Sequence, residues 1–237
     1  MITGPLFKWF GSKWTSSKHY PIPEHDTVIE PFAGGAGYSL RHFKHNVILA
    51  ESDQHIRKLW QWLIEEATEK AILEIPINIP EGTDIRDLNM SDGQNLLIKS
   101  WQRTNNVGSC WTISSWGNKP GQWTENTRAR VAEEFHNIKH WKVCDDAFQL
   151  MNSDVEATWF VDPPYQMNYQ YRSKPIDYTN LATQVNKLNG QIIVCEAECT
   201  KTGKLPDWLE FKPFRNTVTS RRKSTNNHHS KELIYTR

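Results

Sequence analysis

A chain of 237 residues, 38% hydrophobic and 23% charged, has the balance of an ordinary globular protein, with room for one α/β domain carrying an inserted or appended subdomain. No apolar run is long enough to cross a bilayer and no charged-then-apolar leader opens the sequence, so the chain is expected to stay in the cytoplasm where it is made. Four cysteines exclude a disulfide scaffold, and a formal net charge of +1 leaves any polyanion contact to a local concentration of positive charge.

In chain order, short apolar runs end in polar or glycine-rich turns, the pattern of parallel strands in an α/β sheet. Thr27-Val28-Ile29-Glu30 predicts a first strand, and Tyr38-Ser39-Leu40-Arg41-His42-Phe43 the start of a helix. Val47-Ile48-Leu49-Ala50 predicts a second strand, followed by a helical stretch over 56–75. Trp141-Lys142-Val143-Cys144 and Thr158-Trp159-Phe160-Val161 are the third and fourth. Ile192-Ile193-Val194-Cys195 is a fifth, and 211–219 and 232–236 supply two closing strands. Residues 76–140 break this rhythm and are rich in Asn, Gly, Ser and Trp. They read as an inserted subdomain, with 1–75 and 141–237 forming the main domain. Trp60, Trp62, Trp101, Trp111, Trp116 and Trp123 are expected to be packing residues for the most part. Cys195 and Cys199 have no second pair at zinc spacing and are expected to be thiols, with no metal site.

Three features carry chemistry. Pro31-Phe32-Ala33-Gly34-Gly35-Ala36-Gly37 follows the first strand, where glycines let the backbone turn tightly and approach a ligand. Its spacing is not that of a nicotinamide dinucleotide loop, which disfavours an oxidoreductase. Glu51 closes the second strand, placed to accept hydrogen bonds from ribose hydroxyls, and Asp146 closes the third, placed to meet an adenine ring. Together they point to a nucleoside-containing cofactor. Asp162-Pro163-Pro164-Tyr165 follows the fourth strand. Two prolines stiffen the backbone and remove competing amide donors. The Asp162 carboxylate and Pro163 carbonyl can then both accept from an amine, Pro164 fixes the turn, and Tyr165 offers a face on which a planar base stacks.

These motifs resemble the DNA adenine methylase (Dam) family of bacteria and their phages. The resemblance rests on Lys8-Trp9-Phe10-Gly11-Ser12-Lys13, the loop 30–37, Glu51, Asp146, the turn 162–165 and the closing Ser230-Lys231-Glu232-Leu233-Ile234. Their order is the family's α-group arrangement. Phe10 and Ser12 stand where relatives usually have small residues, and Glu51 where many have aspartate. The resemblance implies a Rossmann-like class I S-adenosylmethionine-dependent methyltransferase, with a mostly parallel seven-stranded sheet and an inserted target-recognition subdomain at 76–140. It implies that Trp9, Lys13, Pro31, Phe32, Ala33, Gly34, Gly35, Gly37, Glu51, Asp146 and Asp162 bind S-adenosylmethionine, and that Asp162, Pro163, Pro164 and Tyr165 act on a flipped-out adenine. It likewise implies double-stranded DNA as the partner and a monomeric protein.

Contacts to DNA must come from outside the cofactor pocket. Arg221-Arg222-Lys223 with Asn226 is expected to form a basic loop between the closing strands, suited to phosphates. Arg103, Asn105, Asn118, Lys119, Arg128 and Arg130, in or beside the insert, are further candidates for backbone or base-edge contact. Three other readings stay open. A cytosine-N4 enzyme would usually carry serine in place of Asp162, an RNA adenine methyltransferase would share the same turn, and an idle DNA-binding relative would not bind the cofactor.

Overall fold

The computed structural model describes residues 1–102, 110–115, 117–166, 176–197, 215–223 and 229–237, with the backbone alone at 197, 215–223 and 229–233. Parallel strands buried on both faces read as unbroken apolar runs. Such runs give β1 (Thr27–Glu30), β2 (Asn46–Ala50), β3 (Lys142–Cys144), β4 (Glu156–Val161) and β5 (Asn189–Ala197). The chain closes with β6 (Arg215–Lys223) and β7 (His229–Thr236), and the sheet runs β3-β2-β1-β4-β5-β7-β6. The first five strands pair parallel, while β7 is antiparallel to both β5 and β6. The fold is α/β with a mostly parallel sheet, compatible with a Rossmann-like arrangement.

Side chains alternate across a strand, and the two faces of the sheet bury separate cores. Val28, Val47, Leu49, Phe160, Ile193, Cys195 and Ile234 face one core, and Ile29, Trp159, Val161, Ile192, Val194 and Tyr235 the other. The second core is covered by α6 (Ala147–Met151) and α7 (Tyr178–Lys187), through Met151, Leu181, Ala182 and Val185.

The first core is covered by α1 (Gly37–Arg41), α2 (Gln54–Gln61), α3 (Glu69–Leu73), α4 (Asp92–Trp101) and α5 (Glu125–Glu134). The stretch 56–75, expected as one helix, is divided. A π-helical turn at Trp62–Glu66 ends in extended backbone at Ala67, and the Thr68 hydroxyl accepts from the Ala71 amide to start α3 afresh. Within 76–140, α4 begins at a capping box in which Ser91 and Gln94 satisfy each other's backbone amides. Gly93 meets the ring of Trp62 so closely that an added Cβ would stand 2.0 Å from it.

Trp60, Trp62, Trp101 and Trp123 are buried, and three of them tie distant backbone together through their indole N–H groups. Trp60 donates to Gly34 O (2.9 Å), Trp101 to Leu6 O (3.2 Å) and Trp123 to Pro76 O (3.1 Å). Trp111 is partly buried beneath the Lys99 ammonium, and Trp116 lies outside the described residues. Cys195 is buried and unbridged, while Cys199 also lies outside. Among the described residues no helix is long and apolar enough to cross a membrane, and no group of His, Cys, Asp and Glu could hold a metal.

Candidate functional site

In an open α/β sheet, ligands bind beyond the carboxyl ends of strands where the strand order reverses. Here β1 sits between β2 and β4, and Ile29 of β1 is level with Trp159 of β4. The glycine loop leaves β1 at Glu30 and the proline turn leaves β4 at Val161, so both emerge side by side from one edge.

The glycine loop is held by the end of β2 and by the amino-terminal segment. Gly34 takes φ 48° and Ala36 φ 44°, left-handed backbone that bends the chain sharply toward α1. The Gly34 amide donates to Glu51 Oε2 at 2.8 Å, and the Asp53 amide donates to Glu51 Oε1 at 2.7 Å. Burial holds the Glu51 carboxyl above its ordinary range, a shift these two amide donors oppose only in part. Glu51 therefore stands at the end of β2, as the sequence suggested, and its first task is to brace the loop.

The glycines also answer to residues 9–14. A Cβ on Gly34 would stand 2.5 Å from the Trp9 ring, and one on Gly35 3.1 Å from Ser12 Oγ. On Gly37 it would meet the Trp14 amide nitrogen at 2.2 Å and Lys13 backbone at 2.7 Å. The amino-terminal segment thus packs directly against the loop.

Lys13 links the two loops. Its side chain is 2% exposed, and its ammonium pairs with Asp162 Oδ2 while donating to Gly11 O at 3.0 Å. The same nitrogen lies 5.1 Å from the centroid of Tyr165. Asp162 is 15% exposed. Glu30 lies behind the pair, fully buried, with Oε1 accepting from the Ser39 amide at 2.6 Å. Burial pushes its carboxyl up to about 8, the Ser39 hydrogen bonds oppose that shift, and Asp162 and Lys13 act on it more weakly in opposite directions.

Two supports of the proline turn escaped the sequence reading. Tyr178, at the start of α7, donates its hydroxyl to Pro164 O at 2.6 Å, and burial pushes that phenol up to about 12. Glu196 of β5 is buried with Oε2 3.5 Å from the Gln166 amide. Neither residue belongs to a local motif, and only chain folding brings them to the turn. On the other flank, Phe32 meets Phe148 edge-on at 6.4 Å. Asp146, exposed at the end of β3, caps α6 by accepting from the amides of Phe148 (2.8 Å) and Gln149 (3.0 Å).

The polar and basic candidates for DNA contact are scattered. Arg103, Asn105 and Asn226 lie outside the described residues. Arg128 donates to Ile75 O at 2.9 Å, and Arg130 pairs with Glu134 at 2.6 Å and donates to Pro5 O at 2.7 Å, so both are engaged inside the protein. Asn118 donates to Ile79 O at 2.7 Å, while Lys119 is exposed. The expectation of a loop at Arg221-Arg222-Lys223 is corrected. All three are strand residues of β6, opposite Lys231, Ser230 and His229 of β7. The apolar run set the expected strand end at Thr219, but backbone pairing with β7 carries the ladder four residues further.

No family model and no curated protein matches the chain. Among solved structures, a conserved hypothetical protein of Streptococcus pyogenes is similar over 89% of this chain and 84% of its own, at 12% identity and a TM-score of 0.35.

Proposed function

We propose that this chain is a class I methyltransferase that transfers a methyl group from S-adenosylmethionine to the N6 amine of adenine in double-stranded DNA. The observation that carries this reading is the meeting of Lys13, Asp162 and the glycine loop at the β1–β4 crevice. Placement of β7 antiparallel between β5 and β6 supports the same class of fold. The residues 76–140 are taken as the target-recognition subdomain, and the cell as a bacterium, or the bacterial host of a phage.

The donor set suits S-adenosylmethionine. Glu51 stands at the end of β2, where a ribose would seek an acceptor, and each of its oxygens keeps a second lone pair beyond its amide donor. Trp9 packs against Gly34, and Phe32 and Phe148 meet edge-on beside Asp146, so these groups would line an adenosyl group held beyond β1 to β3. When bound, this cofactor supplies an activated sulfonium methyl, so neither a metal nor a covalent enzyme nucleophile is required.

The chain's own residues then have to hold the acceptor amine in line and exclude water. An adenine within a duplex cannot reach the crevice and must be extruded. Tyr165 offers the extruded base a stacking face, and the Asp162 carboxylate and Pro163 carbonyl accept its two amine hydrogens, leaving the nitrogen lone pair free to attack. The Lys13 ammonium orients the Asp162 carboxylate, and as the amine nitrogen becomes positive, Asp162 balances that charge. The surplus proton leaves afterwards, through Asp162 or water.

Expression in a host lacking DNA methylation, followed by mapping of modified bases in its genome, tests the reading. N6-methyladenine should accumulate at a defined sequence and vanish in an Asp162→Ala variant. An unmodified genome together with failure of the purified protein to bind S-adenosylmethionine overturns it; N4-methylcytosine or methylated RNA alone would redirect it.

A further inference from the structure

Positive charge in this chain is segregated. Lys212, Arg215, Arg221, Arg222, Lys223 and Lys231 fall between positions 211 and 231 with no acid among them, although the whole chain carries a formal charge of only +1. Most of this charge sits on the ribbon formed by β6 and β7.

The ladder fixes how it is arranged. Arg221 stands opposite Lys231, and Lys223 opposite His229. Directly opposed residues share a face of the ribbon, as do residues two apart on one strand. Arg221, Lys223, His229 and Lys231 therefore occupy one face at its end, the same face as Tyr235. Like charges set directly opposite destabilise a strand pair, so this end favours an anion that neutralises them.

The ribbon also points the right way. Because β7 runs antiparallel to β5 and β5 parallel to β4, the β7 end at His229 and the β6 end at Lys223 lie at the same sheet edge as Asp162. Described pairing between β5 and β7 stops at Ala197 opposite Glu232, whereas β6 and β7 stay paired for three residues more, roughly 10 Å.

We propose that the basic face of the β6–β7 ribbon binds DNA phosphates beside the extruded base. The inference rests on the methyltransferase reading above. Strand ribbons carrying Lys and Arg suit a duplex, since phosphate contacts position a protein on DNA without reading its sequence.

The test measures binding to a short random-sequence duplex over a range of salt, for wild type and for Arg221→Ala with Lys223→Ala and Lys231→Ala. Each lost phosphate contact lowers the salt slope by about 0.9. The triple variant should show a slope shallower by about 2 to 3, an affinity weaker by at least about tenfold, and unchanged S-adenosylmethionine binding. A matched Arg221→Lys, Lys223→Arg, Lys231→Arg variant should keep the wild-type slope. Should the triple variant lose cofactor binding, Lys223→Gln and Lys231→Gln singly carry the test, each expected to lower the slope by about 1. An unchanged slope would reduce the basic face to protection of an exposed sheet edge and overturn the proposal while leaving the methyltransferase standing. A wild-type protein that binds neither duplex nor S-adenosylmethionine overturns both.

Discussion

Lys13 and Asp162, 149 residues apart in the chain, form a nearly buried ion pair that joins the amino-terminal segment to the proline turn. Removing one partner of such a pair leaves an uncompensated charge, which costs about 3 kcal/mol in comparable sites. Asp162→Ala should therefore cost stability as well as turnover. Methyl transfer should fall on the order of 10³-fold, and urea denaturation should show lowered stability. Adding Lys13→Met should restore part of the stability and none of the activity. A double variant no more stable than Asp162→Ala would show that the two residues are not coupled.

Glu30 gives the protein a pH dependence of known sign. Its carboxyl ordinarily titrates near 4.5 and is pushed up to about 8 by burial. Between those values the folded protein keeps a proton that the unfolded chain has released, so Glu30 lowers stability as pH rises from about 5 to about 8. Glu30→Gln preserves an acceptor for the Ser39 amide and removes the titration. Its urea midpoint should gain on wild type by a margin that widens from pH 5 to pH 8.5, amounting to a few kcal/mol. A margin independent of pH would contradict the buried, proton-bearing acid.

Gly37→Ala tests the docking of residues 9–14. The added methyl meets backbone, at 2.2 Å from the Trp14 nitrogen, and backbone cannot step aside as a flexible side chain can. A loss of about 1–3 kcal/mol is expected from such overpacking, together with weakened S-adenosylmethionine binding in calorimetry. Wild-type affinity would mean that the amino-terminal segment does not shape the cofactor crevice.

Tyr178→Phe removes one hydrogen bond, to Pro164 O, without changing the ring. Stability should drop by about 1 kcal/mol. If the hydroxyl sets the position of the turn, kcat falls while cofactor affinity holds; equal kcat in the two proteins would leave it a purely structural contact.

Arg130→Ala separates structural from DNA-contacting arginines. The guanidinium pairs with the buried Glu134, which also accepts from Thr3, and it reaches Pro5 O. Melting should report a loss of about 2 kcal/mol, and duplex binding should keep its salt slope. A shallower slope would return Arg130 to the DNA surface.

The strands were legible because parallel strands buried on both faces are written as local apolar runs: β1 matches its expected bounds, β3 starts one residue later than expected, and β2, β4 and β5 extend theirs by a few residues or fewer. The residues 30–37, Glu51 and 162–165 were legible for a related reason, since strand-end loops of an α/β sheet collect at one edge whatever the rest of the chain does. Tertiary structure decided what local pattern cannot encode. It set Tyr178 and Glu196 behind the proline turn, packed residues 9–14 against Gly34 and Gly37, and engaged Arg128 and Arg130 with backbone carbonyls of other segments. It also made Arg221, Arg222 and Lys223 strand residues, because pairing with β7 continues beyond the apolar run that marks the strand in the sequence. Periodicity is a property of neighbours in sequence, whereas hydrogen-bond partners and buried charges are chosen by neighbours in space.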